Sequence, residues 1–150
     1  MLAKNLEPVL IKCEEMGKTL TLETHGNNFA TGLSLKKLVQ VLNNRVKINY
    51  DTANVILYGD ILPYEDLEIC VNDIEFIHLK DKLGANHKWN FPAIGDGNLD
   101  FNRIFNILES RDYKGPISVE IEFTPDGPSG LSEVNKSVKR SFNYLKSILG

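Results

Sequence analysis

Two hydrophobic rhythms alternate along the chain. Residues 19–23, 46–51, 74–81 and 117–120 are short runs rich in β-branched and aromatic side chains, each closing on polar or charged residues, and they predict strands. Around them apolar residues recur at helical spacing. Val9, Leu10 and Cys13 predict a helix over 5–16, with Pro8 in its first turn and Gly17 ending it. Leu35, Leu38, Val39 and Leu42 predict a second helix over 34–43, with Ser34 as N-cap. A third starts near Pro63 and carries Leu67, Ile69, Cys70 and Val71. A fourth covers 100–109 through Phe101, Ile104, Phe105 and Leu108. The last covers 131–149 and packs Val134, Val138, Phe142, Leu145 and Ile148. The order αβαβαβαβα predicts one α/β domain over 1–150, a parallel sheet with right-handed crossovers.

Parity along the strands adds a second expectation. Thr19, Thr21 and Glu23 face opposite to Leu20 and Leu22, and Lys47, Asn49 and Asp51 oppose Val46, Ile48 and Tyr50. One face is small and polar, as the interior of a barrel is. Four strands and five helices are about half of a βα barrel, which closes with eight strands over about 250 residues. The chain therefore reads as a half-barrel that is not a stable monomer, because Thr21, Asn49, Phe76 and Ser118 need opposing side chains. Closure is expected either from a second copy, as a homodimer, or from association with a missing N-terminal half.

Each strand closes on a side chain able to bind metal: Glu23, Asp51, His78 and Glu120. A single strand-end carboxylate is ordinarily a solvated charge, but four such groups at the C-terminal ends of successive parallel strands sit where this architecture builds active sites. Three carboxylates and one imidazole make an oxygen-rich set suited to Mn²⁺, Mg²⁺ or Co²⁺ more than to a thiolate zinc site. His25 shares the parity of Glu23. The long polar loop of residues 82–98 carries His87, Lys88 and Trp89, which could cap a substrate, while Asp96-Gly97 reads as turn chemistry.

Five motifs in order, Leu-Glu-Thr-His-Gly at 22–26, Tyr-Asp-Thr-Ala-Asn at 50–54, Ile-His-Leu-Lys-Asp at 77–81, Ile-Gly-Asp-Gly-Asn-Leu-Asp-Phe at 94–101 and Ser-Val-Glu at 118–120, resemble the second half of the xylose isomerase-like TIM barrels. That superfamily includes sugar phosphate isomerases and epimerases, ketohexose epimerases, hydroxypyruvate isomerase, inosose dehydratase and the endonuclease IV group. The resemblance implies that Glu23, Asp51, His78 and Glu120 are the ligands of a divalent metal. It implies a sugar or sugar phosphate isomerase or epimerase acting through an enediolate, with inosose dehydratase-like lyase chemistry or a noncatalytic half-barrel as alternatives. Glu23 and Glu120 would exchange the proton, and His25, Asn54, Lys80, Asp81 and Trp89 would meet the substrate, Lys80 adding positive charge. Asn54 stands where many members have a histidine, a departure that speaks against endonuclease activity.

Composition narrows the partners. A net charge of −3 with no basic patch is unsuited to phosphate backbones, so no nucleic-acid partner is expected. No apolar run reaches the roughly 20 residues of a membrane span and residues 1–7 lack a long apolar core, which makes the expected location cytoplasmic. Cys13 and Cys70, each in a helical pattern, read as separate buried thiols.

Overall fold

The computed structural model describes residues 2–150. Four parallel strands, β1 (Leu20–Glu23), β2 (Val46–Asp51), β3 (Ile74–Leu79) and β4 (Ile117–Val119), lie side by side in chain order. The crossovers are α1 (Leu2–Glu15) ahead of β1, α2 (Gly32–Val41), then α3 (Asn54–Leu57), α4 (Pro63–Cys70) and a 3₁₀ turn (Val71–Asp73), then α5 (Phe101–Ser110), with α6 (Leu131–Leu149) last. The sheet is open. It is an α/β partial TIM barrel.

The core lies between the sheet and the helices. Val46, Ile48 and Tyr50 from β2 and Ile74, Ile77 and Leu79 from β3 point toward Leu35, Val39, Leu67, Cys70 and Ile104, all buried. Their spacing of three residues between Ile74 and Ile77 breaks strand alternation, and pairing shows why. Ile48 pairs with Ile74 but Asn49 pairs with Phe76, so Glu75 is an extra, exposed residue on β3. This β-bulge rephases the strand: Ile74 and Ile77 both reach the core, and His78 turns to the opposite face beside Asp51.

Several boundaries differ from the sequence expectations. Helix α1 starts before Pro8, which lies inside it and forfeits one helical hydrogen bond. Helix α2 is capped by Thr31 and not by Ser34: the Thr31 hydroxyl accepts from Ser34 N at 3.1 Å, and the Ser34 hydroxyl accepts from Thr31 N at 3.2 Å. Residues 54–57, expected as loop, form α3 because Asp51 Oδ1 accepts the N–H groups of Ala53 and Asn54, as an N-cap carboxylate does. On α6, Ser137 and Ser141 are buried and half-buried Tyr144, Leu145 and Ile148 pack against the core, the last two as expected, while Val138 and Phe142 are exposed, against the expected packing. Ser141 faces inward because its hydroxyl accepts from Ile94 N at 2.9 Å. Cys70 is buried, but Cys13 is only half-buried, and both are free thiols.

Candidate metal centre

The interior face carries the site. Glu23 pairs in register with Asn49, Asp51 with His78, and His78 with Ser118, so Asp51 stands two residues above Glu23 along the sheet and Glu120 two above His78. This stagger, typical of a barrel wall, lets side chains from all four strand ends converge. One ligand atom from each of Glu23, Asp51, His78 and Glu120 lies within 4.8 Å of all the others.

Threonine hydroxyls fix two of these strand ends. Thr24 Oγ1 accepts from Asp51 N at 2.9 Å and donates to Asp51 O at 3.3 Å. Thr52 Oγ1 does the same for Lys80, accepting at 2.9 Å and donating at 2.7 Å. Each threonine follows a ligand carboxylate, a Glu-Thr and Asp-Thr repetition visible in the sequence and not used there. Glu120 lies one residue beyond β4, and its N–H donates to Leu79 O at 3.0 Å, which carries the ladder up to the ligand.

Negative groups crowd the site around one histidine and one lysine. His78 Nδ1 is 3.0 Å from Glu23 Oε1 and 3.0 Å from Glu120 Oε2. A single ring nitrogen serves the first as hydrogen-bond donor, and Glu120 Oε2, buried, is left without any hydrogen bond. Asp51 is fully buried: Oδ1 accepts from two backbone N–H groups and Oδ2 lies 3.3 Å from Lys80 Nζ. Burial pushes its carboxyl up to about 7, against the pull of Lys80 and the two N–H groups. Burial pushes the Lys80 ammonium down, but Asp51, Glu122 and Glu120 together raise it above its ordinary value. Both members of one ion pair therefore move upward, and Glu120 and Glu122 beside the ammonium keep Lys80 charged whichever form Asp51 takes. An orphaned carboxylate oxygen, a half-used imidazole and a carboxyl strained toward protonation fit a divalent ion held by three oxygens and one nitrogen.

The other predicted residues divide. Asn54 belongs to the cluster: Nδ2 lies 3.5 Å from Glu23 Oε1 and 3.3 Å from His25 Nδ1, and Oδ1 accepts from Lys80 Nζ at 3.4 Å. His25 adjoins it, its ring stacked at a tilt 4.7 Å from Tyr58. Lys80 is buried beside the ring of Phe91. Asp81 is buried too, and its oxygens are committed to the backbone N–H groups of Lys82, Gly95, Gly97 and Leu99, which folds the 82–99 loop. Trp89 is half-buried against Phe91, and His87, exposed, meets Leu57 O through Nδ1 at 2.8 Å. Glu122, not singled out from the sequence, contacts the Lys80 ammonium. It is placed by a bridge in which Phe91 and Phe123 exchange backbone hydrogen bonds of 2.7 and 2.8 Å, with Phe123 at φ 61°.

Comparison with known proteins agrees with this geometry. The family described as Xylose isomerase-like TIM barrel matches residues 1–148. The inosose dehydratase of Histophilus somni is 29% identical over 169 residues, covering 100% of this chain and 55% of the relative. A xylose isomerase domain protein from Planctomyces limnophilus superposes with a TM-score of 0.78 at 25% identity, over 98% of this chain and 50% of that one. The 3-keto-D-glucoside 4-epimerase of E. coli superposes at 0.74 and 19% identity, over 97% and 52%. The chain spans about half the length of the curated relatives it matches. No helix among the described residues is long and apolar enough to cross a membrane.

Proposed function

Because the chain belongs to the xylose isomerase-like TIM barrel family, whose profile covers nearly all of it, we propose that it carries the metal-binding wall of an enzyme that moves a proton at the carbon beside a carbonyl of a small sugar or polyol ketone. The observation that carries this reading is the convergence of Glu23, Asp51, His78 and Glu120 within 4.8 Å around a buried, unbonded Glu120 oxygen. The donor set favours Mn²⁺, Mg²⁺ or Co²⁺ over zinc. When bound, the ion supplies Lewis-acid polarisation of the carbonyl and offsets charge on the enediolate.

The residues then take distinct roles. Asp51, wholly buried and tied through Oδ1 to two N–H groups, holds the ion and does not reach substrate. Glu23 and Glu120, on the two outer strand ends and each about a third exposed, stand on either side of His78 Nδ1, 3.0 Å from it in each case. One takes the proton from carbon and the other returns it. Lys80 keeps Asp51, Glu120 and Glu122 in place and adds positive charge behind the developing oxyanion. Asn54 and His25 orient the substrate at the Glu23 side. Asp81 serves by holding the loop that carries Trp89 and Phe91, whose ring lies against Lys80.

Return of the proton gives an isomer or epimer. A second outcome, dehydration, begins with the same abstraction and ends when a neighbouring hydroxyl leaves as water on accepting a proton. It is favoured by one observation, that several curated relatives matched by sequence are inosose dehydratases at 28–32% identity. In heavy water, with Mn²⁺ and the barrel complete, NMR of inososes and ketohexoses distinguishes the outcomes. Deuterium at the carbon beside the carbonyl without loss of water marks epimerisation, and release of water marks the lyase. Glu23→Gln and Glu120→Gln should each abolish the exchange. Full retention of protons across the panel would contradict the reading.

A further inference from the structure

We propose that Glu122, which lies outside the metal cluster, sets the substrate class of the site: it accepts hydroxyl groups of an uncharged polyhydroxy ketone and turns away the phosphate esters of such sugars. This deepens the function given above and rests on it. Glu122 follows Glu120 by two residues in the loop after β4, and its Oε2 meets the buried Lys80 ammonium. Its side chain is still 31% exposed, so Oε1 is the acceptor left for a ligand. The backbone that aims it is strained. Phe123 sits at φ 61°, where a bulky side chain is rare, and two backbone hydrogen bonds with Phe91 hold it there. Tyr58, half-buried, feels the same carboxylate: burial first and Glu122 next raise its phenol above the ordinary value, so its hydroxyl keeps its proton and stays a donor. The Tyr58 ring lies against His25, which in turn meets Asn54 Nδ2 at 3.3 Å. A carboxylate acceptor, a phenol donor and an amide close together suit sugar hydroxyls, each of which both donates and accepts.

A phosphate meets the opposite conditions. Eight-stranded βα barrels frequently hold a phosphate with the loops after their last two strands and a helix N-terminus. Here those are the loops after β3 and β4. The loop of residues 120–130 carries Glu120, Glu122 and Asp126 and neither lysine nor arginine. In the loop after β3, Lys80 is engaged by three carboxylates, and Lys82 donates to Leu83 O at 3.0 Å and Ala85 O at 2.8 Å. Lys88, exposed, stands beside Gly84 and Lys82. The helix starts are taken as well. Asp66 accepts from Gly32 and Leu33 N at α2, Asp51 from Ala53 and Asn54 N at α3, Asp100 from Arg103 N at α5, and Glu133 from Ser129 N at α6. Each carboxylate fills donors that a phosphate would use, and each repels a dianion. An uncharged polyol is spared that repulsion and gains a charge-assisted hydrogen bond at Glu122.

Deuterium exchange from heavy water, followed by NMR on the complete barrel with Mg²⁺, tests this with D-fructose and its terminal phosphate ester. The parent should favour the free sugar about tenfold or more in kcat/KM. Glu122→Gln keeps the shape and removes the charge; it should raise KM for the free sugar about fivefold and shrink the preference at least about threefold. Asp126→Asn removes an exposed charge from the same loop and should leave the preference unchanged, because solvent screens it. Equal use of the two sugars by the parent, or a preference that the two variants change alike, would overturn the proposal. Binding gives a readout independent of turnover. Saturation-transfer NMR on myo-inositol and its monophosphate should show contact with the polyol alone in the parent and with both in Glu122→Gln. Binding of neither or of both by the parent, or continued refusal of the ester by Glu122→Gln, would overturn the proposal. Selective polyol binding without any exchange would uphold it and contradict the proton-transfer reading instead.

Discussion

Asp51 carries the sharpest consequence at the scale of single residues. In the metal-free protein its carboxyl rises from 3.8 to about 7, chiefly through burial. A carboxyl that holds its proton more tightly when folded favours the folded state at low pH. That contribution is complete below about 4 and is lost as pH rises toward 7, a change on the order of a few kcal/mol. With chelator present, the urea midpoint should therefore fall between pH 4 and 7, and Asp51→Asn should flatten the fall. Saturating Mn²⁺ should reverse it, since the ion favours the ionised carboxylate. A metal-free protein whose stability rises across this window would contradict the assignment. The grouping of Glu23, Asp51, His78 and Glu120 was legible in the sequence because strand alternation fixes which residues share a face. The contact of Glu122 with Lys80 was not, because it depends on the bridge between Phe91 and Phe123, residues 32 apart in the chain.

At the scale of elements, the alternating pattern predicted all four strands and the main helices, while the devices that set their phase escaped it. The bulge at Glu75 is one: in Ile74-Glu75-Phe76-Ile77-His78 nothing local says which residue is skipped, and the answer comes from pairing with β2. The cap of α2 is another, since part of it comes from α4. Asp66 accepts from Gly32 N at 2.6 Å, Leu33 N at 3.0 Å and the Tyr50 hydroxyl at 3.1 Å, joining two helices and a strand through one buried carboxylate. Asp66→Ala should destabilise the fold by about 3–5 kcal/mol, because three donors lose a charged acceptor. Its thermal midpoint should drop by roughly 10 °C, and a drop under about 2 °C would show that water replaces the carboxylate. Gly32→Ala should be similarly harmful. A methyl there would clash with Cys70 Sγ and stand 3.0 Å from Asp66 Oδ2, both on α4.

For the whole molecule, an open sheet with Glu23, Asp51, His78 and Glu120 gathered on one face explains why so much polar character lies along one side of each strand. The count of strands made the half-barrel legible from the sequence. The outward turn of Val138 and Phe142 was not, because helical spacing reports an apolar stripe without saying what it faces, and two serines took the inward positions. Metal should act on the entire fold: at a free concentration about a hundredfold above its dissociation constant, Mn²⁺ should add about 2.7 kcal/mol of stability, and a melting point unmoved by saturating Mn²⁺ would contradict a folded-state site. The most direct measurement is calorimetric titration of Mn²⁺ into the chelator-stripped protein and into His78→Ala. The account predicts one site per molecule in the parent and an affinity lowered about tenfold or more in the variant, since the nitrogen ligand and its contacts to Glu23 and Glu120 are removed together. Equal affinity in the two proteins, or no binding to the parent, would contradict it.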